Sequence, residues 1–197
     1  MKTVVVYIHG AGGSAAEAEH YKGLFPDSEV IGFDYRSQTP WDAITEFQNF
    51  FETIMPEYNS AILIANSIGA FFAMHALSSV CFEKTYFISP IVDMEKLITD
   101  MMRRAGVTEE ELEEKEIVKI SFGQDLSWKY LTWVRNHSFV WNHPTAILYG
   151  NYDNLQSIDT IQTFARECEA TITVMKNGEH WFHTEEQMKF LDQWICS

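Results

Sequence analysis

At 197 residues, 46% apolar and 21% charged, the chain is long enough for one domain with a substantial core, and its composition excludes a disordered or low-complexity polypeptide. A formal charge of −14, with no lysine- or arginine-rich stripe, sets the surface against polyanions and excludes nucleic acid as an expected partner. No apolar run is long enough to cross a bilayer, no signal-peptide pattern precedes the first strand, and Cys81, Cys168 and Cys196 lack metal-like spacing, so a cytoplasmic chain with reduced thiols, no metal and no membrane partner is expected.

Thr3 to Ile8 is a β-branched apolar run that reads as a buried parallel strand. It ends in His9-Gly10-Ala11-Gly12-Gly13-Ser14, and Ser14 stands three residues before Glu17, a capping-box spacing that predicts a helix over about Ala15 to Leu24. Glycines after a strand let the backbone approach a ligand and turn its N–H groups inward, as a developing negative charge requires. The loop resembles the HG-x oxyanion loop of α/β-hydrolases. Gly10, Gly12 and Ala15 also satisfy G-x-G-x-x-A, and Asp34 closes the next strand-like run, Glu29 to Phe33, where a dinucleotide-binding fold puts its ribose-binding acid. That alternative predicts thermal stabilisation by NAD or NADP. It leaves the later serine motif without a role.

Thr39 as cap, Pro40 at the first helical position and Asp42 in the first turn predict a helix that ends near Pro56. Trp41, Ile44, Phe47, Phe51, Ile54 and Met55 mark its buried face. A third strand, Ala61 to Ala65, then stops at Asn66-Ser67-Ile68-Gly69 and gives way to an alanine-rich apolar helix, Ala70 to Leu77. Ala65-Asn66-Ser67-Ile68-Gly69 matches the G-x-S-x-G nucleophile elbow with alanine for the first glycine, and is similar to the α/β-hydrolase motif. The resemblance implies Ser67 as nucleophile, with the backbone N–H groups of Ala11 and Ile68 as oxyanion donors. A serine that merely caps a buried helix is the alternative.

Lys84 to Ser89 reads as a fourth strand. About fifty residues separate it from the fifth: a helical run from Met94 to Arg104, a capped acidic segment beginning Thr108-Glu109-Glu110-Glu111, and an aromatic segment from Leu126 to Trp141. The acidic run reads as a solvated helix face. The position of this insertion, about 91–143, resembles the helical cap of α/β-hydrolases. Trp128 and Trp133, with Trp181 further on, are candidates for the substrate pocket, although aromatics at such spacing also pack a small helical cap.

Thr145 to Tyr149, the fifth strand, runs into Gly150-Asn151-Tyr152-Asp153, and the sixth, Ala170 to Met175, into Gly178-Glu179-His180-Trp181-Phe182. The resemblance implies Asp153 as triad acid, with Asp93 in reserve, and His180 as base. Asp153 in an Asx-turn ahead of a helix from about Ser157 to Glu167 is the plainer reading of that residue. His183 is expected at the surface near the start of a last helix capped by Thr184.

The chain order Ser67, Asp153, His180, each after a different strand, is what α/β-hydrolases show. The resemblance implies a trimmed α/β-hydrolase fold in one domain over 1–197, lacking the family's first two strands: about six mainly parallel strands, helices on both faces, and the cap. The activity implied is hydrolysis of a small carboxylic ester by a Ser-His-Asp triad through an acyl-enzyme, without a cofactor. Thioester or carbon–carbon bond hydrolysis would use the same residues, and a non-catalytic binding protein of the same fold is a further reading.

Overall fold

Continuous apolar runs build the sheet: β1 (Thr3–Ile8), β2 (Glu29–Phe33), β3 (Ser60–Asn66), β4 (Phe82–Ile88), β5 (Thr145–Gly150) and β6 (Thr171–Met175) in a computed structural model that describes residues 2–197. All neighbours pair in parallel, in the order β2-β1-β3-β4-β5-β6. Strands buried on both faces need no polar alternation, and Val4, Val5 and Val6 of β1 are all fully buried. Val5 and Tyr7 belong to the core cluster that includes Tyr21 and the C-terminal residues Leu191 and Trp194, while Val4, Val6 and Ile8 point to the opposite face. The order reverses at β1: the chain goes outward to β2, then returns to lay β3 on the other side. The carboxyl ends of β1 and β3 therefore flank the switch point where open α/β sheets form their crevice.

Thr39 accepts from the N–H of Asp42 and starts α1 (Pro40–Ile54), in which Phe47 and Phe51 are the fully buried members of the expected stripe. Helix α2 (Ile68–Ala76) follows the serine turn at once. Helices α3 (Ile158–Glu167) and α4 (Glu185–Ile195) begin at the Ser157 and Thr184 caps. The segment after the glycine loop is helical over the expected range and begins at the Ser14 capping box, and the helix, Ala15–Gly23, is of the 3-10 kind. Its two buried residues, Ala18 and Tyr21, are three apart, which suits three residues per turn. A pyrophosphate site of the dinucleotide-binding kind needs a long α-helix opening at this loop, and none is present.

Contacts divide the chain into two units, 1–92 with 140–197, and 93–139. The second unit contains helices over Met94–Ala105, Glu109–Lys115 and Trp128–Asn136, plus a two-residue antiparallel bridge between Ile117–Val118 and Leu126–Ser127. Arg135 ties its three helices, meeting Glu95 at 2.7 Å and both oxygens of Glu109 at 2.7 Å. The acidic run is solvated as expected, with Leu112 its buried residue. Among the described residues no helix is long and apolar enough to cross a membrane.

Candidate active site

The turn between β3 and α2 puts Ser67 at φ 53 and ψ −121, a backbone conformation costing a non-glycine residue about 1–3 kcal/mol. Neighbouring backbone holds it there: the Ser67 N–H donates to the Ile88 carbonyl (3.0 Å), and its own carbonyl accepts from Ile91 (3.2 Å) and Ala70 (3.1 Å). Gly69 is required by close approach, since a Cβ there would meet the His9 carbonyl oxygen at 2.4 Å. The elbow and the β1 loop thus touch at the backbone. The N–H groups of Ile68 and Gly69 open α2 and have no intrahelical acceptor, so they are available with the positive end of the helix dipole.

The β1 loop is a turn closed by a Gly13 N–H to Gly10 carbonyl bond (3.1 Å), with exposed Ala11 at its crest. Three side chains, those of Tyr35, His9 and Glu17, hold it. Tyr35 donates its hydroxyl to the His9 carbonyl (2.8 Å) and stacks on the His9 ring at 4.2 Å. His9 Nδ1 lies 2.8 Å from the Gly10 carbonyl, an acceptor only, so Nδ1 carries the proton. Glu17 accepts from the Ser14 N–H (3.1 Å) and from the hydroxyl of Tyr7. Burial first, with Tyr21 and then Glu17 beside it, raises the Tyr7 pKa and keeps that hydroxyl a donor.

Ser67 Oγ lies 2.8 Å from His180 Nε2, and His180 Nδ1 lies 2.7 Å from Asp153 Oδ2. The Asp153 side chain is wholly buried and that of His180 is 16% exposed. A carboxylate opposite Nδ1 places the proton there, leaving the Nε2 lone pair for the serine hydroxyl. Asp153 also makes the turn that its sequence context suggested: Oδ1 accepts from Leu155 (2.8 Å) and Gln156 (3.2 Å) while Oδ2 takes the histidine. The turn contacts and the histidine contact thus use different oxygens of the same carboxyl group.

The loops carrying Asp153 and His180 are knitted to each other. Tyr152 N–H donates to the Gly178 carbonyl (2.8 Å), and Asn177 N–H to the Asn151 side chain (2.6 Å). Gly150 sits so close to its neighbour that an added Cβ would lie 2.4 Å from both the carbonyl carbon and oxygen of Gly178. Backbone cannot yield locally, so Gly150→Ala is expected to separate the loops, lowering any histidine-dependent activity about 10²-fold. A melting temperature lowered by about 2–6 °C should accompany it. Parallel assay and thermal melt of the purified variant check both.

The remaining expected site residues lie on other elements. Asp93 caps the 94–105 helix through a 2.8 Å bond from Lys96 N–H, and His180 is paired with Asp153 instead. Trp128 and Trp133 lie on the 128–136 helix of the second unit, where the Trp133 ring stacks on His137 at 4.3 Å. Trp181 is 67% exposed and stacks on His183 at 4.4 Å. His183 lies at the surface before α4, as expected. Among the described residues no group of three or more His, Cys, Asp or Glu is placed to hold a metal ion. Sequence reasoning passed over Tyr7, Tyr35 and Gln156, whose polar atoms meet partners far along the chain. Tyrosines inside apolar strands signal such hidden donors, because a buried hydroxyl needs an acceptor.

No family model and no curated protein matches the sequence. Solved structures do match in shape. Est1E from Butyrivibrio proteoclasticus superposes with a TM-score of 0.75 at 12% identity, over 99% of this chain and 86% of that one. Mouse alpha/beta hydrolase domain-containing protein 10 gives 0.77 at 16% identity, over 98% and 87%. An esterase from Pyrococcus furiosus gives 0.64 at 18% identity, over 98% and 79%.

Proposed function

We propose that this chain, which has the α/β-hydrolase fold, is a serine hydrolase that cleaves small carboxylic esters. The observation that carries this reading is the unbroken relay from Ser67 Oγ through His180 to buried Asp153, with links of 2.8 and 2.7 Å. Neutral His180 takes the serine proton at Nε2 as Oγ attacks the carbonyl carbon, and Asp153 holds the ring and stabilises the imidazolium. His180 then protonates the leaving alkoxide, and an acyl-enzyme remains until a water, activated by the same base, releases the acid. General-base assistance contributes about 10²- to 10⁴-fold. The N–H groups of Ala11 and Ile68 receive the oxyanion, each donor contributing about 3 kcal/mol. No cofactor enters this chemistry.

An ester is the substrate that needs least beyond this relay, and one of the structural neighbours named above is an esterase. Trp181, exposed on the residue after the base, is the side chain of the three pocket tryptophans best placed in sequence to meet an acyl or alcohol group. The test is a panel of esters of rising acyl length beside matching thioesters, with wild type and Ser67→Ala compared. Turnover of short-chain esters that disappears in the variant is expected. Ester turnover that persists in the variant, or turnover of thioesters alone, contradicts the assignment.

A further inference from the structure

Asp153 and Ser67 are joined a second time, away from the reacting atoms. Gln156 is 2% exposed. Its side-chain Oε1 accepts from the Val92 N–H (3.1 Å) and its Nε2 donates to the Leu155 carbonyl (3.1 Å). Its own N–H donates to Asp153 Oδ1 (3.2 Å), and its carbonyl accepts from the Tyr149 hydroxyl (2.9 Å). Burial first, and then the Asp153 charge, raises the Tyr149 pKa, so that hydroxyl remains a donor. Ile91, the neighbour of Val92, donates to the Ser67 carbonyl (3.2 Å). The connections close a ring: Ser67 to His180 to Asp153 through side chains, then Gln156, Val92 and Ile91 back to the Ser67 carbonyl.

The turn on the far side of that ring is strained. Ser89 sits at φ 43, in the left-handed region that a side chain rarely adopts, and is wholly buried. Its hydroxyl has no hydrogen-bond partner among the described residues. Both features cost free energy, and such a conformation persists only where surrounding contacts over-determine it. One end of the turn is fixed by the Ser89 N–H bond to the Leu148 carbonyl (2.9 Å). The other is fixed by the Gln156 amide.

We propose that Gln156 is a positioning residue: its buried amide holds the 89–92 turn against the nucleophile elbow and so sets Ser67 in register with the Asp153–His180 pair. The proposal rests on the serine-hydrolase reading, although Gln156 touches no reacting atom. Glutamine suits the place because Val92 presents a donor and Leu155 an acceptor, and one amide answers both. An ionised carboxylate would answer only the first, and an apolar chain neither.

The test is the rate constant and amplitude of Ser67 labelling by a fluorophosphonate, for wild type, Gln156→Glu and Gln156→Met. Full amplitude in all three is expected, with the rate constant lowered about tenfold or more in Gln156→Met. Gln156→Glu should fall between, because it keeps an acceptor for Val92. If Gln156→Met does not fold, the Gln156→Glu rate decides alone. A residue needed only for folding would lower the amplitude and leave the rate constant of the remaining active protein unchanged. That result, or wild-type rate constants in the folded variants, overturns the proposal. Failure of wild type to label contradicts the serine-hydrolase reading itself and takes this inference with it.

Discussion

Ser67→Ala should lower ester hydrolysis by at least about 10⁴-fold while the protein melts where wild type does. Alanine removes the attacking oxygen and the bond to His180 but meets the same backbone demand at φ 53. Ser67→Gly separates the two roles of this position. Glycine adopts that conformation without steric cost, and its greater chain entropy when unfolded offsets only part of the gain. The glycine variant should therefore be equally inactive yet more stable by about 1 kcal/mol, a rise of about 2–4 °C in melting temperature. Paired melts of the two variants against wild type measure this. A glycine variant that melts below Ser67→Ala would show that the turn stores no strain.

Asp153→Asn should lower kcat about 10⁴-fold with little change in KM. The direction follows from which atoms the carboxylate serves. Oδ1 accepts from the N–H groups of Leu155 and Gln156, so in the variant the amide oxygen must occupy that place. The amide NH₂ then faces His180 Nδ1, where the carboxylate oxygen had been. Two donors cannot face each other, so the imidazole proton moves to Nε2 and the ring loses the lone pair that would take the serine proton. Geometry is kept and the tautomer is wrong. Steady-state kinetics on an ester cleaved by wild type checks the effect, and a loss below tenfold would move the acid's role to another carboxylate, Asp93 being the one kept in reserve by its sequence position.

Much of this arrangement was legible in the residues. The six sheet strands could be read because parallel strands buried on both faces are written as unbroken β-branched and aliphatic runs, as in Thr3 to Ile8. Thr39-Pro40 and Thr184 announced their helices through local chemistry, which needs no tertiary partner. The helix after Ser14 was legible in the same way, and only its 3-10 form was not. Its capping spacing is real, but Glu17 is drawn to the buried hydroxyl of Tyr7, a contact across strand and loop that no local pattern encodes. Asp153 could be placed by its strand, whereas the division of labour between its two oxygens depends on His180, 27 residues on. Gln156 was illegible because its amide meets the backbone of Val92, 64 residues earlier, and any residue type presents the same N–H. Trp181 reads as a candidate pocket residue from its neighbourhood to His180, and the pocket itself depends on packing that spacing does not specify.

The measurement that bears most directly on the proposal that Ser67 is a nucleophile is fluorophosphonate labelling of the purified protein, with the adduct located by peptide mass, for wild type, Ser67→Ala and His180→Ala. A base 2.8 Å from the hydroxyl predicts one adduct, on Ser67, absent in Ser67→Ala and slowed by about 10²-fold or more in His180→Ala. Labelling elsewhere in the chain, or labelling of Ser67 at the same rate without His180, would contradict it.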